Sequence, residues 1–422
     1  MKRFNDPASI LKGTSLVDSF LEFIRIDTQS DDTSEASPST AKQLDLQKVL
    51  TDRLIALGCA DVRLDGKGYL YAVFPGNAPE APVIGLIAHV DTATDFSGTG
   101  VRPLLFEDYD GGPLELPGGV TITPEDSPEL KDCVGDTIIT ASGDTLLGAD
   151  DKAGVAEILA ALEVLGADES IERPTLRIAF TPDEEIGRGA KGFNVEGFGA
   201  ACAYTVDGGF AGEVNFETFS ADKAEVTFTG VAVHPGTAKG KMVNALRHIG
   251  RLMDQLPPTE SPEQTELREG FFHPTTIRGN AARVSAEILL RDFSDEGLAE
   301  RGERLRALVD RIAEDEPRLT AEVKITPQYR NMAGVLGDHP LVRDHLVQAV
   351  REAGMDPDVV PIRGGTDGSG LTAMGLPTPN IFTGGANYHG PREWIATRVM
   401  AQAVCVILNL VQLWARAPSS RK

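Results

Sequence analysis

Cysteine is scarce in this sequence of 422 residues, which has four in total. They lie far apart, at Cys59, Cys133, Cys202 and Cys405. No two of them form a Cys-x-x-Cys pair, so the spacing argues against a disulfide framework and against a thiolate zinc site. The pattern is typical of buried thiols in a reducing compartment, and we expect a cytoplasmic protein.

Basic residues and long apolar runs are also few. The 40 lysines and arginines are outnumbered by 63 aspartates and glutamates, giving a formal net charge of −23. Such a charge repels phosphate backbones and anionic lipids, so we expect neither nucleic acid nor a membrane as a partner. The late apolar stretch 404–414 contains Asn409 and Gln412 and is too short to span a bilayer. Residues 1–18 carry mixed charges, so no secretory signal is expected.

What the sequence does contain is an alternation of strand and helix patterns. The apolar runs 83–88, 176–180 and 201–206 are typical of strands buried on both faces. Apolar residues at helical spacing occupy 153–166. The length predicts two domains or more, and the alternation predicts an α/β fold with a sheet flanked by helices.

The pattern changes near Phe216, where strands begin to alternate between apolar and polar residues. From there the predicted order is β-α-β-β-α-β, which is that of a ferredoxin-like unit large enough to form its own domain. After it the α/β pattern resumes. We therefore predict a discontinuous catalytic domain over 1–217 and 329–422, with a small lid domain inserted at 218–328.

Five short segments carry side chains that bind hard or borderline cations. They are His89-Val90-Asp91, Gly148-Ala149-Asp150-Asp151, Asp183-Glu184-Glu185, Asp207-Gly208-Gly209 and Asn387-Tyr388-His389-Gly390. Each alone has an ordinary explanation: a buried His–Asp hydrogen bond, a helix cap, a solvated loop or a turn. Together they favour a metal site, because sites in open α/β sheets form where strands end. Two histidines and three carboxylates, one of them bridging, could fill two metal positions with nitrogen and oxygen ligands.

The motifs around these residues resemble the dizinc exopeptidase family that includes glutamate carboxypeptidase, and within it the tripeptide aminopeptidases. The resemblance covers nearly the whole chain in order. Besides the segments above, it includes Ile26-Asp27-Thr28-Gln29-Ser30, Val233-His234-Pro235-Gly236-Thr237-Ala238-Lys239-Gly240 and Arg363-Gly364-Gly365-Thr366-Asp367-Gly368. It implies a zinc-exopeptidase-type mixed sheet with a lid and dimerisation domain.

The resemblance also implies a site with two Zn²⁺ ions per subunit. The metal ligands would be His89 and Asp207 for one ion, Glu185 and His389 for the other, and Asp150 bridging both. Asp91 would orient His89, Glu184 would be the general base, and the Asp150–Asp151 peptide would be cis.

Four residues outside this set are expected to meet the substrate. His234 would stabilise the charge that develops on the carbonyl oxygen, either within its own subunit or across a dimer. Asn280 and Arg291 resemble residues that hold the terminal carboxylate of the peptide, and Arg363 belongs to a loop expected to line the pocket. Two simpler roles remain open, a turn residue for His234 and an ion pair with Asp292 for Arg291.

The function expected from the resemblance is removal of the N-terminal residue from tripeptides. Its partners would be a small peptide substrate and, through the lid, a second copy of the chain. Within the same fold a dipeptidase, a carboxypeptidase or an N-acyl amino acid deacylase is the alternative. A catalytically inactive binding protein would lack a ligand or the base, and Glu184 is present.

Overall fold

Helices and strands alternate along residues 1–418, the part of the chain that the computed structural model describes. The helices are α1 (Pro7–Gly13), α2 (Leu16–Phe23), α3 (Gln43–Ala56), α4 (Ala149–Ala167), α5 (Val195–Phe198), α6 (Ala245–Gln255), α7 (Asp295–Glu314), α8 (Ala333–Gly337), α9 (Pro340–Glu352), α10 (Asp367–Ala373) and α11 (Thr397–Ala415). The strands are β1 (Ala60–Leu64), β2 (Leu70–Phe74), β3 (Ile84–His89), β4 (Leu104–Phe106), β5 (Leu114–Glu115), β6 (Thr121–Ile122), β7 (Ile138–Thr140), β8 (Leu176–Thr181), β9 (Cys202–Gly208), β10 (Glu213–Asn215), β11 (Ser220–Thr229), β12 (Phe271–Gly279), β13 (Arg283–Asp292), β14 (Thr320–Tyr329), β15 (Asp358–Val359), β16 (Asn380–Phe382), β17 (Gly385–Ala386) and β18 (Trp394–Ala396).

The chain divides into two compact units. Unit 1 consists of Met1–Phe216, Gly334–Val360 and the segment from Thr366 onward, and unit 2 consists of Glu217–Ala333 and Pro361–Gly365. Unit 2 is therefore an insertion in unit 1 that also takes in a short later loop. The roles of catalytic and lid domain stay predictions.

Unit 1 is built on a mixed eight-stranded sheet in the order β1-β2-β8-β3-β9-β16-β10-β15. Its centre is parallel, since β3 pairs in parallel with both β8 and β9. Every residue of β3 is buried, as expected for a strand covered on both faces. Helix α4 packs against β3 and β9. The predicted α/β class with a mixed sheet flanked by helices is confirmed.

The parallel centre brings several strand ends to one edge of the sheet. His89, the last residue of β3, pairs in register with Thr181, the last residue of β8. The neighbouring β9 ends at Gly208, directly after Asp207. Residues that follow these strands therefore lie side by side at the carboxyl edge, where sites form in such sheets.

Helix α11 is a core helix of unit 1. By length and composition it could cross a membrane, but 78% of its most apolar window is buried inside the fold. The polar residues that interrupt it have partners: Asn409 exchanges hydrogen bonds of 3.0 and 2.7 Å with the backbone of Phe4, and Gln412 bonds the backbone of Lys2. The start of the chain is thereby held along this helix.

Unit 2 contains a four-stranded antiparallel sheet in the order β12-β13-β11-β14. With α6 after β11 and α7 after β13, its elements follow the order β-α-β-β-α-β. The two helices pack against this sheet and against each other around Phe228, Ile288, Leu290 and Leu305. Unit 2 thus has a hydrophobic core of its own.

Candidate metal centre

His89 lies buried at the carboxyl edge of the central sheet, between carboxylates. Its Nδ1 is 3.1 Å from the carbonyl oxygen of Asp91 and 3.4 Å from Oδ1 of the same residue. Its Nε2 is 2.9 Å from Asp150 Oδ1 and 3.5 Å from Asp207 Oδ1. Because Nδ1 faces acceptors, a neutral ring carries its proton there, and the lone pair of Nε2 then faces two carboxylates. Only a positive charge, a proton or a metal ion, makes that arrangement stable.

Asp150 lies between two histidines that come from opposite ends of the sequence. Its Oδ1 faces His89 Nε2, and its Oδ2 is 3.3 Å from His389 Nε2. The same His389 nitrogen is 3.0 Å from Glu185 Oε2. Each oxygen of Asp150 is thus shared with a different histidine, and each histidine has a further carboxylate beside it. The Asp150–Asp151 peptide is cis, as the resemblance implied.

Asp91 connects Glu184 and Glu185, which follow β8, to the turn after β3. Its Oδ1 accepts the backbone N–H of Glu184 at 3.0 Å, and its Oδ2 accepts that of Glu185 at 3.2 Å. Asp91 is fully buried. Besides facing His89, this carboxylate therefore holds the backbone from which the side chains of Glu184 and Glu185 project.

The electrostatics of the cluster favour positive charge at its centre. Burial, together with the charge of Asp150, raises the pKa of Glu185 to about 8, and burial likewise raises the pKa of Glu184 well above its usual range. Hydrogen bonds to Asp150 and Glu185 raise the pKa of His389 to about 11. Closely spaced carboxylates repel one another unless protons or cations lie between them.

The donor atoms fit divalent cations. Glu185 Oε1 is buried and has no hydrogen-bond partner among residues 1–418, although such atoms are normally paired. All candidate donors are imidazole nitrogens or carboxylate oxygens, the set preferred by borderline and hard divalent metals. Donor atoms of His89, Asp150 and Glu185 lie within 4.8 Å of one another, as do those of His89, Asp151 and Asp207.

Asp151 in the second group already has other partners. Its Oδ2 accepts the backbone N–H of His89 at 3.1 Å, and its Oδ1 accepts that of Gly154 at 3.2 Å. Both oxygens are thereby engaged by the backbone, whereas Asp150 and Asp207 direct theirs at histidine nitrogens. We therefore take Asp151 to hold the start of α4 against β3.

The cluster is closed on one side and open on the other. The side chain of His89 is 2% exposed, whereas that of His389 is 42% exposed. His389, Asn387 and Asp183 adopt positive φ angles of 64°, 57° and 60°. Non-glycine residues in this conformation are strained, and such strain is concentrated at functional sites. The open side is where a substrate can approach.

Two predicted substrate contacts, His234 and Asn280, lie at turns of unit 2. His234 is exposed, and its Nδ1 accepts the backbone N–H of Gly236 at 3.1 Å, which caps a short turn. Asn280 lies in the turn between β12 and β13, where its Oδ1 accepts the N–H groups of Ala282 and Arg283. Both side chains thus have local roles, and their substrate roles stay predictions.

Arg291 and Arg363 also belong to unit 2. Arg291 donates to the carbonyl oxygens of Asp222 and Leu290. An ion pair between Arg291 and Asp292, the simpler role left open for this arginine, does not form within residues 1–418, because Asp292 instead pairs with Arg301 at 3.1 Å.

Arg363 is tied to the loop before β12. Its guanidinium donates to the carbonyl oxygens of Leu267 and Glu269 and to Thr265 Oγ1. The predicted part of Arg363 in substrate binding stays a prediction.

Two buried acids beside the cluster, Asp183 and Asp367, had no predicted role. Asp183, 2% exposed, accepts hydrogen bonds from the backbone N–H of Ser39 and from Gln43 Nε2. Asp367 accepts the Thr181 hydroxyl at 2.7 Å, and burial raises its pKa to about 7. Both residues lie inside motifs that carry the family resemblance, so these motifs could have identified them as candidate functional residues. What these side chains contact depends on segments distant in sequence.

The model of one protein family matches residues 146–413, and it is described as peptidase family M20/M25/M40. A protein of Desulfitobacterium hafniense strain Y51 named peptidase T is 46% identical over 410 residues, covering 96% of this chain and 100% of the relative. A peptidase T of Clostridium perfringens strain SM101 is 46% identical over 397 residues, covering 94% and 98%.

Solved structures share the fold over nearly the full length. The aminopeptidase PepT of Bacillus cereus superposes with a TM-score of 0.75 at 23% identity, covering 95% of this chain and 98% of that one. The YXEP protein of Bacillus subtilis, titled a dinuclear metal-binding peptidase, has a TM-score of 0.65 at 15% identity, covering 96% and 98%. At these identities the likeness is one of fold.

Proposed function

The chain belongs to peptidase family M20/M25/M40 and is a peptidase, and from this premise we propose that it is a metallo-aminopeptidase that removes the N-terminal residue from tripeptides. The observation that carries the proposal is the position of Asp150, whose two oxygens face His89 and His389. The relatives named peptidase T support a peptidase activity, and the tripeptide substrate is the part that the sequence resemblance implies.

The proposed cofactor is a pair of Zn²⁺ ions. His89 and Asp207 would hold one ion and His389 and Glu185 the other, with Asp150 between them. When bound, such a pair supplies Lewis-acid polarisation of the scissile carbonyl and a water molecule of lowered pKa. The same nitrogen and oxygen donors also accept manganese or cobalt, so zinc is the part of the proposal that metal analysis must test.

Glu184 is the proposed general base. Its carboxylate would take a proton from the attacking water and later deliver that proton to the amine of the leaving peptide, so that one C–N bond is exchanged for a C–O bond. Support comes from its neighbours: its backbone N–H is held by Asp91, and the next residue, Glu185, faces His389. Glu184 is thus one residue from the proposed ligand Glu185, which supports its choice as the base.

A cytoplasmic location is proposed from the cysteines, all four of which are free thiols. Three of them are buried, and burial raises the pKa of the Cys405 thiol to about 12, which keeps it protonated and unreactive. Assembly into a homodimer through unit 2 stays a prediction.

The decisive assay compares tripeptides with free and acetylated N-termini. The aminopeptidase proposal expects cleavage of the free peptide alone, loss of activity with a chelator, and recovery with Zn²⁺. Undiminished hydrolysis of the acetylated peptide would instead support a deacylase or carboxypeptidase.

The role of Glu184 is tested by Glu184→Gln, which preserves the shape of the side chain. We expect a fall in kcat of roughly 10²–10⁴-fold with an unchanged zinc content. Glu196→Gln, at an exposed glutamate of the same unit, is the matched control and should behave as wild type. Loss of zinc from the Glu184 variant, or near wild-type turnover, would contradict its assignment.

A further inference from the structure

Four consecutive backbone N–H groups converge on one buried carboxylate beside the candidate metal centre. Oε2 of Glu393 accepts the N–H groups of Leu147 and Gly148 at 2.7 and 2.9 Å. Oε1 accepts those of Ala149 and Asp150 at 2.6 and 3.2 Å. Glu393 is 1% exposed, so the contact is shielded from solvent on both sides.

The local conformation explains how four amides can point at one group. Gly148 has a φ of 82°, in the left-handed region, and Asp150 and Asp151, at the beginning of α4, have non-helical backbone angles. Consecutive amides in such a turn form a concavity that binds anions. In this chain the anion is a side chain supplied from 243 residues further along.

Glu393 also belongs to the loop that supplies His389. The two residues are four positions apart, on either side of Gly390, Pro391 and Arg392. One loop therefore presents His389 to Asp150 Oδ2 and, through Glu393, holds the backbone N–H of Asp150 itself. The two contacts together set where the Asp150 carboxylate lies relative to His389.

We propose that Glu393 is a positioning residue for Asp150: its carboxylate clamps the backbone of 147–150 so that Asp150 lies between His89 and His389. The inference rests on the proposed two-metal site and deepens it. A purely structural cap would stabilise the fold without affecting metal binding, so the two roles separate experimentally.

A matched control exists in the same unit. Asp136, 7% exposed, accepts the backbone N–H groups of Thr137 at 2.7 Å and of Arg398 at 3.1 Å, next to the start of α11. It is likewise a buried carboxylate that caps backbone amides, but it contacts none of the candidate ligands. Asp136→Asn therefore measures how much stability is lost when a cap that does not contact the candidate ligands is weakened.

The first measurement is amide hydrogen exchange on the metal-free protein. In Glu393→Gln one carboxylate oxygen becomes an NH₂ group that cannot accept, so the amides of 147–150 should exchange faster than in wild type. Asp136→Asn should leave them unchanged. Unaltered exchange at 147–150 in Glu393→Gln would overturn the clamp, and this result needs no metal and no activity.

The second measurement is zinc affinity, by competition with a chelating dye. Glu393→Gln should bind Zn²⁺ about 10–100-fold more weakly, the range known for residues that hold metal ligands, and Asp136→Asn should bind it as wild type does. Glu393→Asp keeps the charge on a shorter side chain, and its zinc affinity should lie between those of wild type and Glu393→Gln. This variant also tests the proposal if Glu393→Gln does not fold. Wild-type zinc affinity in a Glu393→Gln protein that melts at a lower temperature would overturn positioning in favour of a cap. Absence of zinc binding by wild type would refute the proposed zinc cofactor, while the exchange experiment would still test the clamp.

Discussion

Glu157, in the middle of α4, is buried as an unpaired acid. The residue is fully buried, and neither carboxylate oxygen has a hydrogen-bond partner within residues 1–418. Burial raises the pKa of this carboxyl well above its reference value of 4.5. The folded chain therefore keeps a proton on Glu157 at pH values where the unfolded chain has already released it.

The stability that depends on this proton is fully present below about pH 4.5 and is lost as the pH rises toward the folded-state pKa. Over that interval the folded state binds one more proton than the unfolded state. The free energy of unfolding then falls by about 1.4 kcal/mol per pH unit. Glu157→Gln and Glu157→Met preserve the approximate size of the side chain and cannot titrate. Relative to wild type, both should gain stability with pH at that slope.

The two variants differ from each other in one respect. Gln still buries unpaired polar atoms, whereas Met buries none. The free energy of unfolding of the Met variant should therefore exceed that of the Gln variant by a constant amount, about 1–3 kcal/mol for each unpaired group removed. Plotted against pH, the stability differences between each variant and wild type should give two parallel lines rather than one.

Urea unfolding of the metal-free chain between about pH 5 and pH 8, followed by tryptophan fluorescence, measures these differences. Both tryptophans, Trp394 and Trp414, lie in unit 1 with Glu157, so the signal reports the unit that contains the substitution. If the stability difference between variants and wild type does not change with pH, Glu157 is not a buried neutral acid and the reasoning is wrong.

Three further substitutions test packing and the site. A Cβ on Gly154 would lie 1.8 Å from the carbonyl oxygen of Val206, whereas one on Gly166 of the same helix would meet nothing closer than 3.9 Å. Gly154→Ala should therefore destabilise the fold by roughly 1–3 kcal/mol and Gly166→Ala should stabilise it by up to about 1 kcal/mol; equal melting shifts would contradict the packing. Asp91→Asn leaves one acceptor, a neutral amide oxygen, in place of the two carboxylate oxygens that hold the backbone after β8, and should lower kcat or zinc affinity about 10–100-fold. Wild-type turnover in that variant would show that the carboxylate charge and the second acceptor oxygen of Asp91 are dispensable.

The fold class was readable from local patterns. Strands buried on both faces, such as β3, must be apolar along their whole length, and a helix such as α4 must repeat its apolar residues at helical spacing. Both patterns can be read from residues that are neighbours in the sequence. Part of unit 2 could be predicted for the same reason, since β13 and the residues Ala224, Val226 and Phe228 of β11 show the two-residue period of a sheet with one polar face.

The residues of the candidate metal centre could be named from residue type and from their place after apolar strands. The resemblance then grouped them into a ligand set. Neither source indicated that both oxygens of Asp91 accept the amides of Glu184 and Glu185, or that Arg301 pairs with Asp292.

Local patterns along the chain were thus sufficient to predict an α/β fold with carboxylates and histidines at the ends of its strands, and the family resemblance added the peptidase activity. The partners of those side chains were set by the order of strands in the sheet, β8-β3-β9-β16, which differs from their order in the chain. Asp150 meets a histidine 61 residues before it and another 239 residues after it. Contacts over such separations depend on how whole elements pack, and no pattern of neighbouring residues encodes them.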